Sequence, residues 1–327
     1  MLRRFAILLL AVCTILCVPA LPAAAAAHAD DGAHVTSVAH LDRRLVELTI
    51  DSPALGRAGH ARVLLPSGYR AAPHRRWPVL YLLHGCCDTT PGWRKWTQET
   101  DVEAFTAHRD VMIVMPEADR AGFYSDWWNH GRYGPPGWET FHLTELRQIL
   151  ERGWRAGDRR AIAGLSMGGF GALSYAARHR GLFRAAASFS GLADSRAWAP
   201  GIEALLTAYG DDPQALWGDP VLQKGIWTAH DPYDLLPRLR GLPLYVASGD
   251  GRPGPLDPPG TTPDANVGEA GIGLLNQRFV AKAHRLHIPV HAELYGPGTH
   301  SWPYWQRDLH HAWPMLARAL GGAGTAA

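Results

Sequence analysis

The stretch RRAIAGLSMGGFGALSYAARH, residues 159–179, decides how this chain folds. Residues 159–166 form a short apolar run typical of a buried strand, and residues 167–179 are typical of a helix. Between them Gly164-Leu165-Ser166-Met167-Gly168 has the pattern G-x-S-x-G at a strand-to-helix turn. The glycines predict a sharp, strained turn that lifts the serine out of the sheet. A glycine-rich turn with an incidental serine is the alternative, and the flanking strand and helix weigh against it.

Apolar runs of the same kind recur along the chain and alternate with helical segments. Five further runs are typical of strands buried on both faces: residues 77–85, 110–118, 183–191, 242–251 and 289–298. Residues 35–51 and 60–69 predict an opening hairpin. Further helices are predicted over residues 101–108, 138–154, 273–286 and 304–320. The alternation predicts an α/β fold with a mostly parallel central sheet flanked by helices on both faces.

The N-terminus is typical of a secretory signal peptide. A basic start, an apolar run of signal-peptide length and the A-x-A site Ala27-His28-Ala29 follow in order. Cleavage there would remove residues 1–29 and leave one domain, residues 30–327, secreted or associated with the cell envelope, without a membrane span. A membrane anchor is the alternative, but the apolar run is short for a span.

Charge and composition exclude some functions. The net charge is +2 and the sequence lacks a basic stripe, which argues against a nucleic-acid partner. The Pro- and Gly-rich stretch 253–268 is too long for a plain connection and is interpreted as an inserted loop, of a length that is usually functional or mobile.

A serine hydroxyl needs a base to remove its proton, and in this fold the expected order is Ser, acid, His. Seventeen histidines make histidine alone uninformative, but His300 follows the last predicted strand on a loop. Most of the others after Ser166 fall on predicted helices. His284, His287 and His291 lack a carboxylate or cysteine to complete a metal site, so neither metal nor cofactor is expected.

The triad acid has several candidates in the sequence. Asp250 ends a predicted strand, Asp257 and Asp264 lie in the long loop, and Glu269 begins a helix. Asp250 is slightly favoured on physical grounds, because triad acids commonly lie just past a strand end. Asp-Gly is also a common turn pair, which gives Asp250 a structural explanation. A structural explanation also exists for Glu269, because a negative charge at a helix N-terminus is favourable.

Cys86 and Cys87 are the cysteines that would remain after signal cleavage. Adjacent Cα atoms lie about 3.8 Å apart, whereas disulfides usually need about 4.4 Å or more. We therefore do not expect a bond between the two.

Four motifs together resemble the secreted actinobacterial mycolyltransferases, the antigen-85-like esterase family. They are FYSDWW (123–128), WETFHLTEL (138–146), GLSMGG (164–169) and GTHSWPYW (298–305), and the resemblance covers nearly all of the chain after residue 29. It implies an α/β-hydrolase fold and a Ser-Glu-His triad, which matches Ser166, Glu269 and His300. The resemblance therefore reverses the preference from Asp250 to Glu269, with Asp250 and Asp257 as the alternatives.

The resemblance also implies an oxyanion hole made of the backbone N–H groups of Met167 and Cys86. In that role Cys86 contributes only its backbone N–H. The alternative is that its side chain is a reactive thiol. Family members that use trehalose carry an aspartate and an arginine where this chain has His84 and Cys87, which argues against trehalose as acceptor.

Several side chains are candidates for lining the substrate site. They are His84, Trp127, Trp128 and Trp302, although core packing is the commoner fate of a tryptophan.

These observations predict an exported serine esterase or acyltransferase. Its substrate would be a small-molecule or lipid carboxylic ester, and its acyl acceptor water, a sugar or another alcohol. The alternatives are a mycolyltransferase that uses trehalose esters and an inactive glycan- or matrix-binding member of the same fold. A metal-dependent hydrolase would need a ligand cluster that the sequence lacks.

Overall fold

A computed structural model describes residues 27–87, 91–262 and 268–322. Within these residues nine strands form one sheet: β1 (His34–His40), β2 (Leu45–Ser52), β3 (Arg57–Leu64), β4 (Trp77–Leu83), β5 (Met112–Pro116), β6 (Ala156–Leu165), β7 (Ala186–Phe189), β8 (Leu244–Ser248) and β9 (His291–Leu294). Their spatial order is β1-β2-β3-β5-β4-β6-β7-β8-β9. The first three strands and the β3–β5 pair are antiparallel, and the remaining pairs are parallel.

Helices cover both faces of this sheet. They are α1 (Lys95–Glu99), α2 (Val102–Phe105), α3 (Trp138–Thr140), α4 (Arg147–Gly153), α5 (Met167–Arg178), α6 (Ala199–Ala208), α7 (Pro213–Trp217), α8 (Lys224–His230), α9 (Pro232–Leu235), α10 (Glu269–Arg285) and α11 (Trp302–Ala319). A π-helical segment, Phe141–Leu146, joins α3 to α4. Helices α1, α2 and α11 pack on one face, and α3 to α10 pack on the other.

The central strands show why their sequences are continuously apolar. In β4, Val79 and Tyr81 belong to the core under α5, whereas Leu80 and Leu82 belong to the core under α11. Because successive side chains of a strand point to opposite faces, a strand covered on both sides needs apolar residues at every position. The six predicted strands and the mostly parallel α/β sheet are confirmed. The predicted burial on both faces is wrong for residues 289–298, because β9 lies at the edge of the sheet and its residues are mostly exposed.

The opening segment differs from its prediction. Residues 35–51 fold into two strands, β1 and β2, which turn at residues 41–44, and β3 then continues the meander. No helix within the described ranges has the length and apolarity to cross a bilayer. Residues 1–26 of the predicted signal peptide lie outside the described part of the chain.

Asp231 at the N-terminus of α9 should make stability depend on pH. Its Oδ1 accepts hydrogen bonds from the backbone N–H of Ser195 and of Tyr233. Burial, with the negative charges of Asp194 and Asp234, raises the pKa of Asp231 to about 7. A carboxyl whose pKa is raised on folding contributes most stability below its unfolded pKa and loses that contribution as pH rises through its folded pKa.

We therefore expect the Asp231 contribution to lower the melting temperature of the wild type, relative to that of Asp231→Asn, as pH rises from 5 to 8. Burial also raises the pKa of Asp308 to about 7, so part of the slope remains in the variant. Thermal unfolding at a series of pH values tests this, with Asp158→Asn, an exposed aspartate, as the matched control. Equal slopes in the Asp231→Asn variant and the wild type would contradict the expectation.

Candidate active site

The serine of the G-x-S-x-G motif lies at a sharp turn between β6 and α5. Ser166 has φ 53° and ψ −121°, a left-handed conformation that is costly for a residue other than glycine. Its backbone N–H donates to the carbonyl of Phe189 at 2.9 Å, which fixes the turn against β7. The turn therefore holds the serine side chain at the carboxyl end of the parallel strands, where α/β folds place their ligand sites.

Close backbone contacts explain the two glycines of the motif. A Cβ at Gly164 would lie 2.3 Å from the carbonyl oxygen of Gly168. A Cβ at Gly168 would lie 2.5 Å from the carbonyl oxygen of His84. Both contacts are with backbone atoms, which cannot move aside, so the turn forms only with glycine at these positions.

His300 and Glu269 are brought together from different elements. His300 lies on the loop before α11, and its Nδ1 lies 2.7 Å from Oε2 of Glu269, the first residue of α10. The Glu269 side chain is fully buried. Its other oxygen accepts hydrogen bonds from Ser190 Oγ at 2.7 Å and from the Gly249 N–H at 2.6 Å. The carboxylate is thus fixed on three sides, which also fixes the imidazole.

Two residues that the sequence analysis missed complete this arrangement. The Trp305 ring meets the His300 ring edge to face, with centroids 4.8 Å apart. Trp305 Nε1 also donates to Ser190 Oγ at 3.2 Å, so Ser190 connects the tryptophan to Glu269. Trp305 falls within the motif GTHSWPYW and could have been noticed there. Ser190 follows β7 without a local pattern that marks it.

Ser166 and His300 line the same cavity, which has a volume of about 260 Å³. Its walls are mostly apolar and come from several elements: Cys86, Cys87, Phe123, Met167, Leu192, Trp198, Leu205, Gly268 and Ile272. Trp198 and Leu205 belong to the segment around α6, for which the sequence analysis predicted no helix. The cavity therefore places a hydroxyl and an imidazole beside an apolar compartment.

Two backbone amides at this cavity are candidates for an oxyanion hole. Met167 is the first residue of α5, where backbone N–H groups lack partners within the helix. Cys86 lies just after β4. Neither N–H donates to an acceptor among the residues that the structure describes. Both residues line the cavity.

The expectation that Cys86 and Cys87 do not bond is wrong. A disulfide joins them, with Cα atoms 3.7 Å apart. Cys87 has φ 79°, a left-handed conformation. The two Sγ atoms bond in this conformation although the Cα atoms are closer than in most disulfides. The reactive-thiol alternative for Cys86 therefore does not apply to this disulfide-bonded form.

The other candidate acids have different partners. Asp250 pairs with Arg252, at 2.5 Å between Oδ2 and Nη2. Asp257 accepts hydrogen bonds from the hydroxyls of Thr299 and Tyr304. Asp264 lies outside the described residues. Glu269 is thus the candidate whose carboxylate contacts His300.

The predicted substrate-lining residues are not among the described residues that line the cavity. His84 is buried, where its Nε2 accepts from the Ala118 N–H at 3.0 Å and its Nδ1 lies 2.6 Å from the Gly85 carbonyl oxygen. Trp127 is buried and donates to the Gly122 carbonyl oxygen. Trp302 packs edge to face on Trp96. The Trp128 ring lies beside the His130 ring, with centroids 6.0 Å apart. All four side chains therefore have contacts elsewhere in the fold.

Among the residues that the structure describes, no group of three or more His, Cys, Asp or Glu side chains is arranged to hold a metal ion.

The sheet order, the serine turn and the helices on both faces define an α/β-hydrolase. The chain belongs to the esterase family, whose model matches residues 52–316, and the resemblance to antigen-85-type proteins is confirmed. It is 30% identical over 290 residues to the diacylglycerol acyltransferase/mycolyltransferase Ag85B of Mycobacterium intracellulare, which covers 83% of this chain and 82% of the relative.

A second relative is the esterase Rv1288 of Mycobacterium tuberculosis. The two are 35% identical over 218 residues, which is 64% of this chain and 46% of the relative. This chain thus spans less than half the length of that protein.

Solved structures show the same fold. M. tuberculosis MPT51 (FbpC1) superposes with a TM-score of 0.68 at 23% identity, covering 84% of this chain and 97% of that one. The Staphylococcus aureus fluorophosphonate-binding serine hydrolase FphF gives 0.65 at 21% identity, covering 83% and 97%.

Proposed function

We propose that this protein is an exported serine esterase that uses Ser166, His300 and Glu269 as a catalytic triad. One observation carries the proposal: the buried carboxylate of Glu269 lies 2.7 Å from His300 Nδ1, and His300 shares a cavity with Ser166. A histidine whose Nδ1–H donates to a carboxylate keeps its Nε2 as the proton acceptor, as a triad base requires.

The chemistry follows from these groups. His300 takes the proton of Ser166 as its Oγ attacks the ester carbonyl carbon. The Met167 and Cys86 amides stabilise the tetrahedral oxyanion, each contributing about 3 kcal/mol in comparable sites. Collapse of the intermediate expels the alcohol with the proton from His300 and leaves an acyl-enzyme. Water or an acceptor alcohol, activated by the same imidazole, then releases the acyl group.

The cavity favours a small acyl group. Its volume of about 260 Å³ lies just below the range of about 300–1,000 Å³ usual for pockets of drug-sized ligands. Apolar side chains such as Phe123, Leu192 and Ile272 suit an alkyl or aryl acyl chain. Short carboxylic esters are therefore the proposed substrates.

Fluorophosphonate labelling with peptide mapping tests the nucleophile, and a series of p-nitrophenyl esters tests the substrate class. We expect covalent modification at Ser166, turnover of short esters and no loss of activity in chelator. Ser67→Ala, an exposed serine between β3 and β4, is the control and should label like wild type. An unlabelled Ser166 in folded protein would favour the inactive glycan- or matrix-binding alternative.

Acyl transfer to an alcohol is the second candidate, favoured by the similarity to Ag85B, whose name is that of an acyltransferase. Hydrolysis and transfer share every step up to the acyl-enzyme. Adding glycerol or trehalose to the ester assay distinguishes them, because transfer yields a new ester that mass spectrometry detects. Since His84 is buried at the position where trehalose users have an aspartate, we expect trehalose to be the poorer acceptor.

Export is part of the proposal, with cleavage after Ala29 and one domain over residues 30–327. Asp30 would then be the new N-terminus, and its backbone N donates to Gln148 while its carboxylate pairs with Arg152. N-terminal sequencing of the protein recovered from culture medium tests the cleavage site.

Trp198 should limit the length of the acyl chain, because its half-buried indole forms a wall of the cavity. In Trp198→Ala we expect kcat/KM to rise for longer esters relative to butyrate. Each additional buried methylene is worth about 0.8 kcal/mol, or about fourfold. Leu274→Ala, on the exposed side of α10, is the control and should keep the wild-type profile. Identical chain-length profiles in Trp198→Ala and wild type would show that another wall sets the limit.

A further inference from the structure

The disulfide between neighbouring residues lies at the cavity and not at the periphery of the fold. Cys86 and Cys87 both line the compartment that contains Ser166 and His300. They lie on the connection that follows β4, separated from its end by two residues. The bond closes a small ring through the Cys86–Cys87 peptide, and the proposed oxyanion amide of Cys86 is attached to that ring.

The ring is held to the rest of the protein by contacts at Cys87. The Cys87 N–H donates to the Arg120 carbonyl oxygen at 3.1 Å. The Tyr209 hydroxyl donates to the Cys87 carbonyl oxygen at 3.3 Å. These bonds fix Cys87 in its left-handed conformation, φ 79°, and the disulfide connects Cys86 to that fixed residue.

An oxyanion hole works only if its donors are oriented before charge develops, because reorientation during the reaction would consume the stabilisation. The Met167 amide is fixed by the start of α5, but the Cys86 amide lies on a connection outside any helix or strand. We propose that the Cys86–Cys87 disulfide is a positioning group that holds the Cys86 N–H towards the reacting carbonyl. This inference rests on the proposed serine-esterase function.

Reduction by a dithiol removes the constraint in a balanced step. The dithiol gives up two protons and two electrons and becomes a cyclic disulfide, while the Cys86–Cys87 bond breaks to two thiols. The backbone torsions that the ring restricted are then free, and the Cys86 amide samples orientations that do not face the cavity.

The test compares oxidised and reduced full-length protein with two independent measurements. After treatment with a dithiol, mass spectrometry of the alkylated peptide 77–94 verifies that both thiols formed. We expect kcat on a short ester to fall at least tenfold with KM little changed, because the lost interaction exists mainly in the transition state. Hydrogen exchange should rise in the segment around residues 84–87. Removing the dithiol and reoxidising should restore both values.

A Cys86→Ser/Cys87→Ser variant provides the matched control. It should show the low kcat without any dithiol and should not respond to one. Full kcat in verified reduced protein, or hydrogen exchange that stays at the oxidised level, would overturn the positioning role. Failure of the proposed function looks different: the oxidised protein would neither hydrolyse esters nor label at Ser166, and the exchange measurement would still report on the ring.

Discussion

Replacing Ser166 with alanine should abolish ester hydrolysis and leave the fold intact. The hydroxyl is the proposed nucleophile, so its loss removes the acyl-enzyme route, and kcat should fall by about 10⁴-fold or more. Alanine is smaller than serine and meets no new contact in the turn. Steady-state rates with p-nitrophenyl butyrate, together with circular dichroism and melting temperature, measure the two parts of this expectation.

The control for this change is the exposed Ser67→Ala, which should retain wild-type rates. If Ser166→Ala folds normally and keeps appreciable turnover, a different residue attacks the ester and the proposed triad is wrong. A residual rate slightly above the uncatalysed reaction is expected, since the oxyanion amides and the cavity remain.

Replacing Glu269 with glutamine should cost about 10³- to 10⁴-fold in kcat. In the wild type all three partners of the carboxylate can donate: His300 through Nδ1–H, Ser190 and Gly249. A glutamine amide turns its NH₂ group towards at least one of them. If the NH₂ faces His300, the imidazole must accept at Nδ1 and carry its proton at Nε2, so it can no longer take the proton of Ser166.

Asp250→Asn is the matched comparison, because Asp250 lies just past the end of β8, as a triad acid commonly does, but is paired with Arg252. We expect near-wild-type rates in that variant, measured with the same ester under the same conditions. A larger loss in Asp250→Asn than in Glu269→Gln would reassign the acid.

The sequence was sufficient to predict the buried central strands and the serine turn. Within the runs 77–85 and 159–166, residues 79–83 and 161–165 are apolar at every position, and that pattern follows directly from burial on both faces. The glycines around Ser166 likewise indicate a close backbone approach, because glycine is the residue without a Cβ. Such features depend on neighbours that are close in sequence, which is why they can be predicted locally.

The region from residue 196 to residue 239 was not predicted, and it supplies part of the cavity wall. Its helices are short, and short helices depend on tertiary packing more than on their own propensity. Two local signals were present: Asp212-Pro213 and Asp231-Pro232 are each an N-cap followed by proline at the first helical position. Recognising them would have placed α7 and α9.

The choice between Asp250 and Glu269 could not be made from local pattern. Glu269 reaches His300 because α10 starts beside the ends of β7 and β8, where Ser190 and the Gly249 amide lie. Those contacts join residues 20 and 79 positions apart in the chain. The family resemblance favours Glu269, whereas the position just past a predicted strand favours Asp250.

The hydrogen bond from the Gly249 N–H to Glu269 has an evolutionary consequence. The Gly249 N–H lies just before residues 250–268 and Glu269 just after them, and Oε1 of Glu269 accepts from that N–H at 2.6 Å. The two ends of this segment are therefore held close together. Doubling the length of a flexible loop costs only about 0.6 kcal/mol in closure entropy. Insertions of new sequence here can therefore lengthen this segment while the proposed acid and base keep their places.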